Sequence, residues 1–347
     1  MAARLGPADL APCHGRVLQG EKADPPDPAR GGPGMSDVLI VGAGVTGIAC
    51  ARVLQDAGLA VRLIDKGRGI GGRMATRRVT IDAAELRLDH GAQYLSDGPE
   101  AEAIAAAAPG AVARWDPGDG RARIVGHGGM AALPRALAAG LDVAQGVEVG
   151  AVSPDGAGWR VDTDRGTQVA ARVVLSVPAP QIAALVGAAH PFARAVRGVF
   201  MHPCLTLLAV FPKEAPAPFV TRRAPARALS WIARDDSKPG RGAAARTWIA
   251  QANAGWSGAH IDTDRDAIKV RMRDMLCAEI ATDPATARHL AVHGWRHGLT
   301  GAPLGRAFLR DGTLWAGGDW TMGAKAGDAW RSGQAMAQDI LATLAAA

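Results

Sequence analysis

Cysteine is scarce: the 347 residues hold four, Cys13, Cys50, Cys204 and Cys277, with no CxxC pair. That scatter argues against a disulfide framework or a cysteine-built zinc site and suits a reducing compartment, so a cytoplasmic location is expected. Tyr94 is the only tyrosine, and there are five phenylalanines. An enzyme that cages its substrate in aromatic rings would have to draw on the nine tryptophans. No run approaches the ~18 apolar residues of a membrane span. Residues 1–34 are rich in Pro and Gly and have no apolar segment of the secretory-signal kind. They are expected to be a disordered extension, or upstream sequence translated in error, ahead of Met35. No basic stripe is interleaved with aromatics, so neither nucleic acid nor membrane is an expected partner.

What is present is ample core material, 48% hydrophobic residues, enough for one large domain or two interleaved ones. The net charge of +6 and pI near 9.5 come mostly from arginine. Arginine favours phosphate, so an anionic dinucleotide would suit this surface. The same excess also reads as general compositional bias, because acids and bases are interspersed.

The stretch 37–78 organises the rest. Residues 38–41 are apolar and partly β-branched, as in a strand buried on both faces. Gly42-Ala43-Gly44-Val45-Thr46-Gly47 follows, and Ile48, Ala49, Val53 and Leu54 then give a helical apolar stripe. A second strand over 60–64 ends in Asp65, near the ~20-residue spacing at which a carboxylate meets adenosine ribose. In such a turn Gly42 permits the bend, Gly44 lets backbone N–H groups approach a pyrophosphate, and Gly47 lets helix and strand pack closely. The helix N-terminus adds partial positive charge for the phosphates. A second match, Gly67-Arg68-Gly69-Ile70-Gly71-Gly72, is followed by 73–78 with no helical period, and reads as a loop.

Further on, 79–88 is a weak strand candidate, 99–107 a helix, and 131–139 a helix opened by Gly128-Gly129-Met130. Residues 147–175 read as three short strands, the third over 172–177. Alternating segments at 204–211, 228–233, 247–252 and 291–296 suggest an antiparallel sheet flanked by helices at 179–186 and 265–281. A strand at 314–320 ends in Gly318-Asp319, and a terminal helix over 329–344 is expected to begin near Ser332-Gly333.

Several of these motifs coincide in order: Gly42–Gly47, Asp65-Lys66, Gly71-Gly72-Arg73-Met74, Asp89-His90-Gly91-Ala92-Gln93-Tyr94, Gly128-Gly129-Met130, Ser176-Val177-Pro178 and Gly318-Asp319. Together they resemble the flavin-containing amine oxidase superfamily, and DKGRGIGGRM followed by DHGAQY is most similar to its renalase-like branch of bacterial type. The resemblance implies an α/β fold: an FAD-binding Rossmann-type domain with a β-meander (35–78, 124–178 and 311–347). It would be interleaved with an α+β substrate domain on an antiparallel sheet (79–123 and 179–310). It implies non-covalent FAD, with Gly42, Gly44, Thr46 and Gly47 at the pyrophosphate and Asp65 and Lys66 near the ribose. Gly72, Arg73 and Met74 would reach the phosphates or ribityl chain, Val149 the adenine, and Gly318 and Asp319 the ribityl or pyrophosphate region. Gln93 and Tyr94 would lie by the isoalloxazine, and Ser332 and Gly333, at a helix start, by its pyrimidine edge. Gln251 stands where the resemblance leads one to expect His, and 321–328 departs from the Arg- and Glu-containing pattern of bacterial relatives.

The implied reaction moves hydride from an isomeric 2- or 6-dihydro-NAD(P)H to flavin N5, with reoxidation by O2 to H2O2. It needs no obligate general base. Ala92, Gln93, Tyr94, Trp231 and Trp295 would contact the substrate ring, and Arg234 or Arg296 a carboxamide or phosphate. Without the motif, Tyr94 reads equally as a core aromatic, and Trp231 and Trp295 more often as core. His289, His293 and His297 would align as metal ligands on a helix, but Gly294 and Gly298 favour strand, so no metal is expected. Lys325, in Gly/Ala-rich sequence, reads as a solvated loop residue. The alternatives are a flavin amine oxidase or desaturase on a small hydrophobic substrate, or a non-catalytic flavin-binding module. Either a monomer or a homodimer fits.

Overall fold

The computed structural model describes residues 36–242 and 244–346, so the expected extension at 1–34 lies outside the described residues. The first strand, Ser36–Val41, is central in a larger sheet because it is apolar on both faces. It pairs in parallel with Val61–Asp65 on one side and Gly166–Leu175 on the other. The sheet runs Leu309–Asp311, Leu314–Ala316, Gly166–Leu175, Ser36–Val41, Val61–Asp65, Asp142–Gln145, and the meander Val149–Asp155 and Gly158–Thr163 extends from Gly166–Leu175. The third meander strand is therefore longer than the expected 172–177, because its first half pairs with the meander and its second with the central strand. One face is covered by the helix Val45–Asp56 and the terminal helix Ala326–Ala345, the other by a cluster around Trp320, Ile182 and Phe192.

The second sheet is antiparallel, in the order Thr221–Arg223, Leu229–Arg234, Arg246–Ala252, Phe200–Phe211, His289–Ala302. All four expected strands are present. Alternation divides its faces. Leu205, Leu207, Trp248, Ala250 and Ile232 pack with Ile268, Met272 and Leu276 of the helix Arg265–Ile280. Leu208, Val210 and Ile249 on the opposite face meet Leu86 and Leu88.

Two local expectations are corrected. Residues 76–89 form a hairpin, Thr76–Ile81 and Ala84–Asp89, where a loop and one weak strand were expected. Its turn runs through Asp82 and Ala83 at φ +48° and +64°, a geometry ordinarily announced by Gly or Asn. The terminal helix starts at Ala326, with Lys325 and Asp328 forming its cap, well before Ser332. Among the described residues no helix is long and apolar enough to cross a membrane.

Candidate functional site

A cavity of about 1510 Å³ runs from the glycine loop to the underside of the five-stranded sheet. That exceeds the ~300–1,000 Å³ of ordinary ligand pockets and leaves room for a long cofactor and a substrate.

At one end the wall is mostly backbone. Gly42 sits at φ +109°, and a Cβ on Gly47 would lie 2.1 Å from the Gly42 carbonyl oxygen, so strand and helix touch where side chains cannot fit. Gly44 faces open space, and with Val45 and Thr46 it lines the cavity. The first N–H groups of the helix lack partners within it, so this end suits an anion. Asp65 lines the same end, accepting from Ala43 N and Gly67 N, both at 2.6 Å, and so braces both glycine runs. Lys66, which pairs with Glu148 at 3.4 Å, also lines it, as does Val149.

Midway, Arg73 grips Asp319 through two parallel bonds, Nη1 to Oδ2 at 2.9 Å and Nη2 to Oδ1 at 2.5 Å. Thr300 Oγ1 adds a bond to Asp319 at 3.1 Å, and Arg73 Nη1 also reaches the Gly298 carbonyl at 3.3 Å. The pair ties the second glycine run to the Gly-Asp strand end. Gly72, Met74 and Gly318 line the cavity around it.

The far end is built from side chains. Register places Trp231 opposite Gln251, Gln251 opposite Thr206, and Thr206 opposite His293, one row across four strands. Cys204 and Trp295 form the next pair along. All but Thr206 line the cavity, facing the segment 89–94. Three side chains pin that segment's backbone: Trp295 Nε1 donates to the His90 carbonyl at 2.7 Å, Gln251 Nε2 to the Gly91 carbonyl at 2.8 Å, and Gln93 Nε2 to the Asp89 carbonyl at 2.7 Å. The His90 ring stacks on Trp295 at 5.4 Å and meets His293 edge-on at 4.7 Å. Burial pushes both imidazoles down to about 4, helped by Arg77 and, for His90, by His293, so both are neutral at pH 7.

Behind 89–94 lies a fully buried quartet, Asp89, Asp235, Lys238 and Arg241. Lys238 Nζ donates to Asp89 at 3.0 Å and Gln93 Oε1 at 3.1 Å, and lies 2.8 Å from Asp235; Arg241 bonds Asp89 as well. Burial opposes ionisation of Asp89, but Lys238 and Arg241 outweigh it and hold the carboxyl below its ordinary range. Burial raises Asp235.

The expected residues divide accordingly. Gly42, Gly44, Thr46, Asp65, Lys66, Gly72, Arg73, Met74, Val149, Gly318 and Asp319 line the cavity around the glycine loop and the Arg73–Asp319 pair, and Ala92, Gln93, Tyr94, Trp231, Trp295 and Arg296 line its far end, Arg296 with its guanidinium bonded to Asp262 at 2.5 Å. Gly47 acts only in packing. Three placements need correction. Ser332 is buried in the helix interior, donating to the Ala307 carbonyl and accepting from Gly318 N, and a Cβ on Gly333 would lie 2.2 Å from the Thr46 carbonyl oxygen; neither lines the cavity. Lys325, Ala326 and Ala329 line it instead. Arg234 is also outside the lining, because three steps along a strand from Trp231 reverse the face. His289, His293 and His297 lie on a strand, each about 13 Å from the next at ~3.3 Å per residue, and cannot converge on an ion.

Sequence reasoning gave no role to His90, Arg223 or the quartet. His90 was legible inside the 89–94 motif. The quartet was not, since Asp235 to Arg241 looks like an ordinary solvated charge run.

Residues 40–108 match the NAD(P)-binding Rossmann-like domain family, and residues 102–341 match the flavin containing amine oxidoreductase family. Cyclohexylamine oxidase from Brevibacterium oxydans superimposes with a TM-score of 0.70 at 13% identity, over 90% of this chain and 100% of that one. A putrescine oxidase mutant made in a redesign of cofactor binding gives 0.68 at 15% identity, over 89% and 99%. A putative protoporphyrinogen oxidase from Exiguobacterium gives 0.64 at 15%, over 88% and 99%. At these identities the likeness is one of fold.

Proposed function

The chain belongs to the flavin-containing amine oxidoreductase family and uses FAD, and on that premise we propose that it is an oxidase of dihydropyridine dinucleotides, the isomeric 2- or 6-dihydro forms of NAD(P)H. The observation that carries this reading is the charge of the cavity's far end. Among the described residues lining the cavity, the carboxylates are Asp65, Glu148 and Asp319, all along the glycine-loop and middle portions. The far end has none and presents Arg223, whereas Arg296, also on the lining, is engaged by Asp262 at 2.5 Å. A cationic amine finds no counter-ion there, whereas an anionic dinucleotide finds complementary charge.

FAD, when bound, supplies the hydride acceptor and the means of passing two electrons to dioxygen. In net terms, dihydropyridine, O2 and one proton give pyridinium and H2O2. The chain's own residues hold the cofactor non-covalently and present the substrate. Backbone N–H groups at Gly44 to Thr46 would take the pyrophosphate, Asp65 the ribose, and the Arg73–Asp319 pair the middle. Trp231 and Trp295 offer faces to the pyridine ring, and those faces also favour the pyridinium left by the reaction. No proton has to be removed from the substrate, so the neutral His90 and His293 need not act as bases.

A second reading, oxidation of a neutral amine, is favoured by the Tyr94 and Trp231 rings, 5.8 Å apart and tilted by 57°, and by Lys325 on the cavity wall. Anaerobic stopped-flow of the holoprotein against dihydro-NAD(P) isomers, ordinary NADH and a panel of amines separates the two. Rapid flavin bleaching by the isomers and not by the amines is expected. Bleaching by an amine alone would replace the first reading with the second, and bleaching by none would point to a binding module.

A further inference from the structure

Two consecutive arginines on the sheet's edge strand, Thr221–Arg223, meet opposite fates. Arg222 turns to the helix face, bonds Glu279 and lies 4.2 Å from the centroid of the Phe219 ring. Arg227 reaches the same carboxylate at 2.5 Å, so that side is neutralised. Arg223 turns the other way, as strand alternation requires, and lines the cavity. Its guanidinium lies 5.5 Å from the centroid of Trp231, its cross-strand partner, and donates to the Tyr94 hydroxyl at 3.2 Å. Among the described residues no carboxylate is within ion-pair reach of it. Arg123, the other cation beside Tyr94, is already engaged by Asp97 at 3.5 Å and Asp119 at 2.8 Å.

Arg223 is itself exposed to solvent while lining the cavity. Here an aromatic face and a phenol hold the fork in one place, at the rim of a cavity end without acids, so less entropy is lost when an oxyanion docks. A phenol that accepts from arginine still has its own O–H to donate. Arg223 and Tyr94 together therefore offer a two-residue donor set whose guanidinium has no carboxylate partner among the described residues.

We propose that Arg223, with the Tyr94 hydroxyl, is an anion-recognition site that takes a phosphate of the incoming substrate and so selects dinucleotides over uncharged dihydropyridines. The proposal rests on the dihydropyridine reading above and adds the residue that discriminates. Arg223 is a specificity residue at the rim and is separate from the Arg73–Asp319 pair inside.

The test compares the wild-type holoprotein with Arg223→Gln and Arg223→Lys, using a 6-dihydro-NAD isomer and its phosphate-free analogue, 1-methyl-dihydronicotinamide of the same isomer. Arg223→Gln should lower kcat/KM for the dinucleotide about tenfold, mainly through KM, as expected for a lost charge-assisted bond near water. The loss on the methyl compound should be at least fivefold smaller, and Arg223→Lys should restore part of the dinucleotide activity. Equal losses on both compounds, or no loss on either, would overturn the proposal. Calorimetric titration of the oxidised holoproteins with ADP-ribose gives a readout that does not depend on turnover. Weaker binding by Arg223→Gln supports the site even if no dihydropyridine reduces the flavin, in which case only the substrate reading falls. Equal binding by both proteins overturns the site itself.

Discussion

The two ends of the cavity are built by opposite means. The glycine-loop end works by leaving side chains out: Gly47 touches the Gly42 carbonyl, Gly44 faces open space, and helical N–H groups point into the gap. The far end works by putting side chains in, a row of Trp231, Gln251, Thr206 and His293 set by pairing across four strands. The difference teaches where each kind of change should act. Adding an atom should damage the first end most, whereas removing one should change what the second accepts and leave the cofactor in place.

Gly47→Ala should give the largest effect. Its Cβ would fall 2.1 Å from the Gly42 carbonyl oxygen, a backbone atom that no rotamer change can move aside, so helix and strand must separate. Purified protein should be nearly free of flavin absorbance and melt well below wild type. Gly44→Ala sharpens the contrast, because its Cβ meets nothing within 4 Å: the fold should persist while flavin binds weakly. Equal flavin content in Gly47→Ala and wild type would break the account of this end.

Next in size is Lys238→Met. Removing one cation from the buried quartet leaves Asp89 and Asp235 with Arg241 alone, a loss of about 3–5 kcal/mol on the scale of broken buried ion pairs. It also frees Gln93 and the 89–94 segment at the far end. Urea denaturation should report the loss, while flavin remains in the protein that is still folded. A change under about 1 kcal/mol would mean that the quartet does not hold the segment.

The third effect emerges only as the pH falls. His90 and His293 have folded values near 4, below the usual ~6.5, so between these limits the unfolded chain binds more protons. Their contribution is full above pH ~6.5 and is lost as pH falls toward ~4; Asp89, held low by Lys238 and Arg241, withdraws its own only at more acid pH. The urea midpoint should therefore decline from pH 6.5 to 4.5, and a His90→Gln/His293→Gln variant should flatten that slope. An unchanged slope in the variant would remove the pair from the account.

The same contrast explains what could be read from residues alone. The strand, glycine turn, helix, strand and acid of 37–65 were legible because each signal is local and contiguous. The four alternating strands were legible too, since a half-buried face imposes a period of two. The partners in the row across them were not, because register between Trp231, Gln251 and His293 is settled by long-range pairing. The 76–89 hairpin has no local signal, because its turn places Asp82 and Ala83 at positive φ without a glycine. The true start of the terminal helix is hidden in the sequence because its N-cap is Lys325, not Ser, Thr, Asp or Asn. The quartet joins Asp89 to residues about 150 positions away, and no local pattern announces it.

One measurement bears on all of this most directly: a crystal structure of the FAD-loaded protein. In it adenosine should lie beside Asp65 and Val149, pyrophosphate over Gly44 to Thr46, and the isoalloxazine beneath Trp231, Gln251 and His293. An isoalloxazine lying anywhere else, with the row of side chains facing only solvent, would contradict this placement.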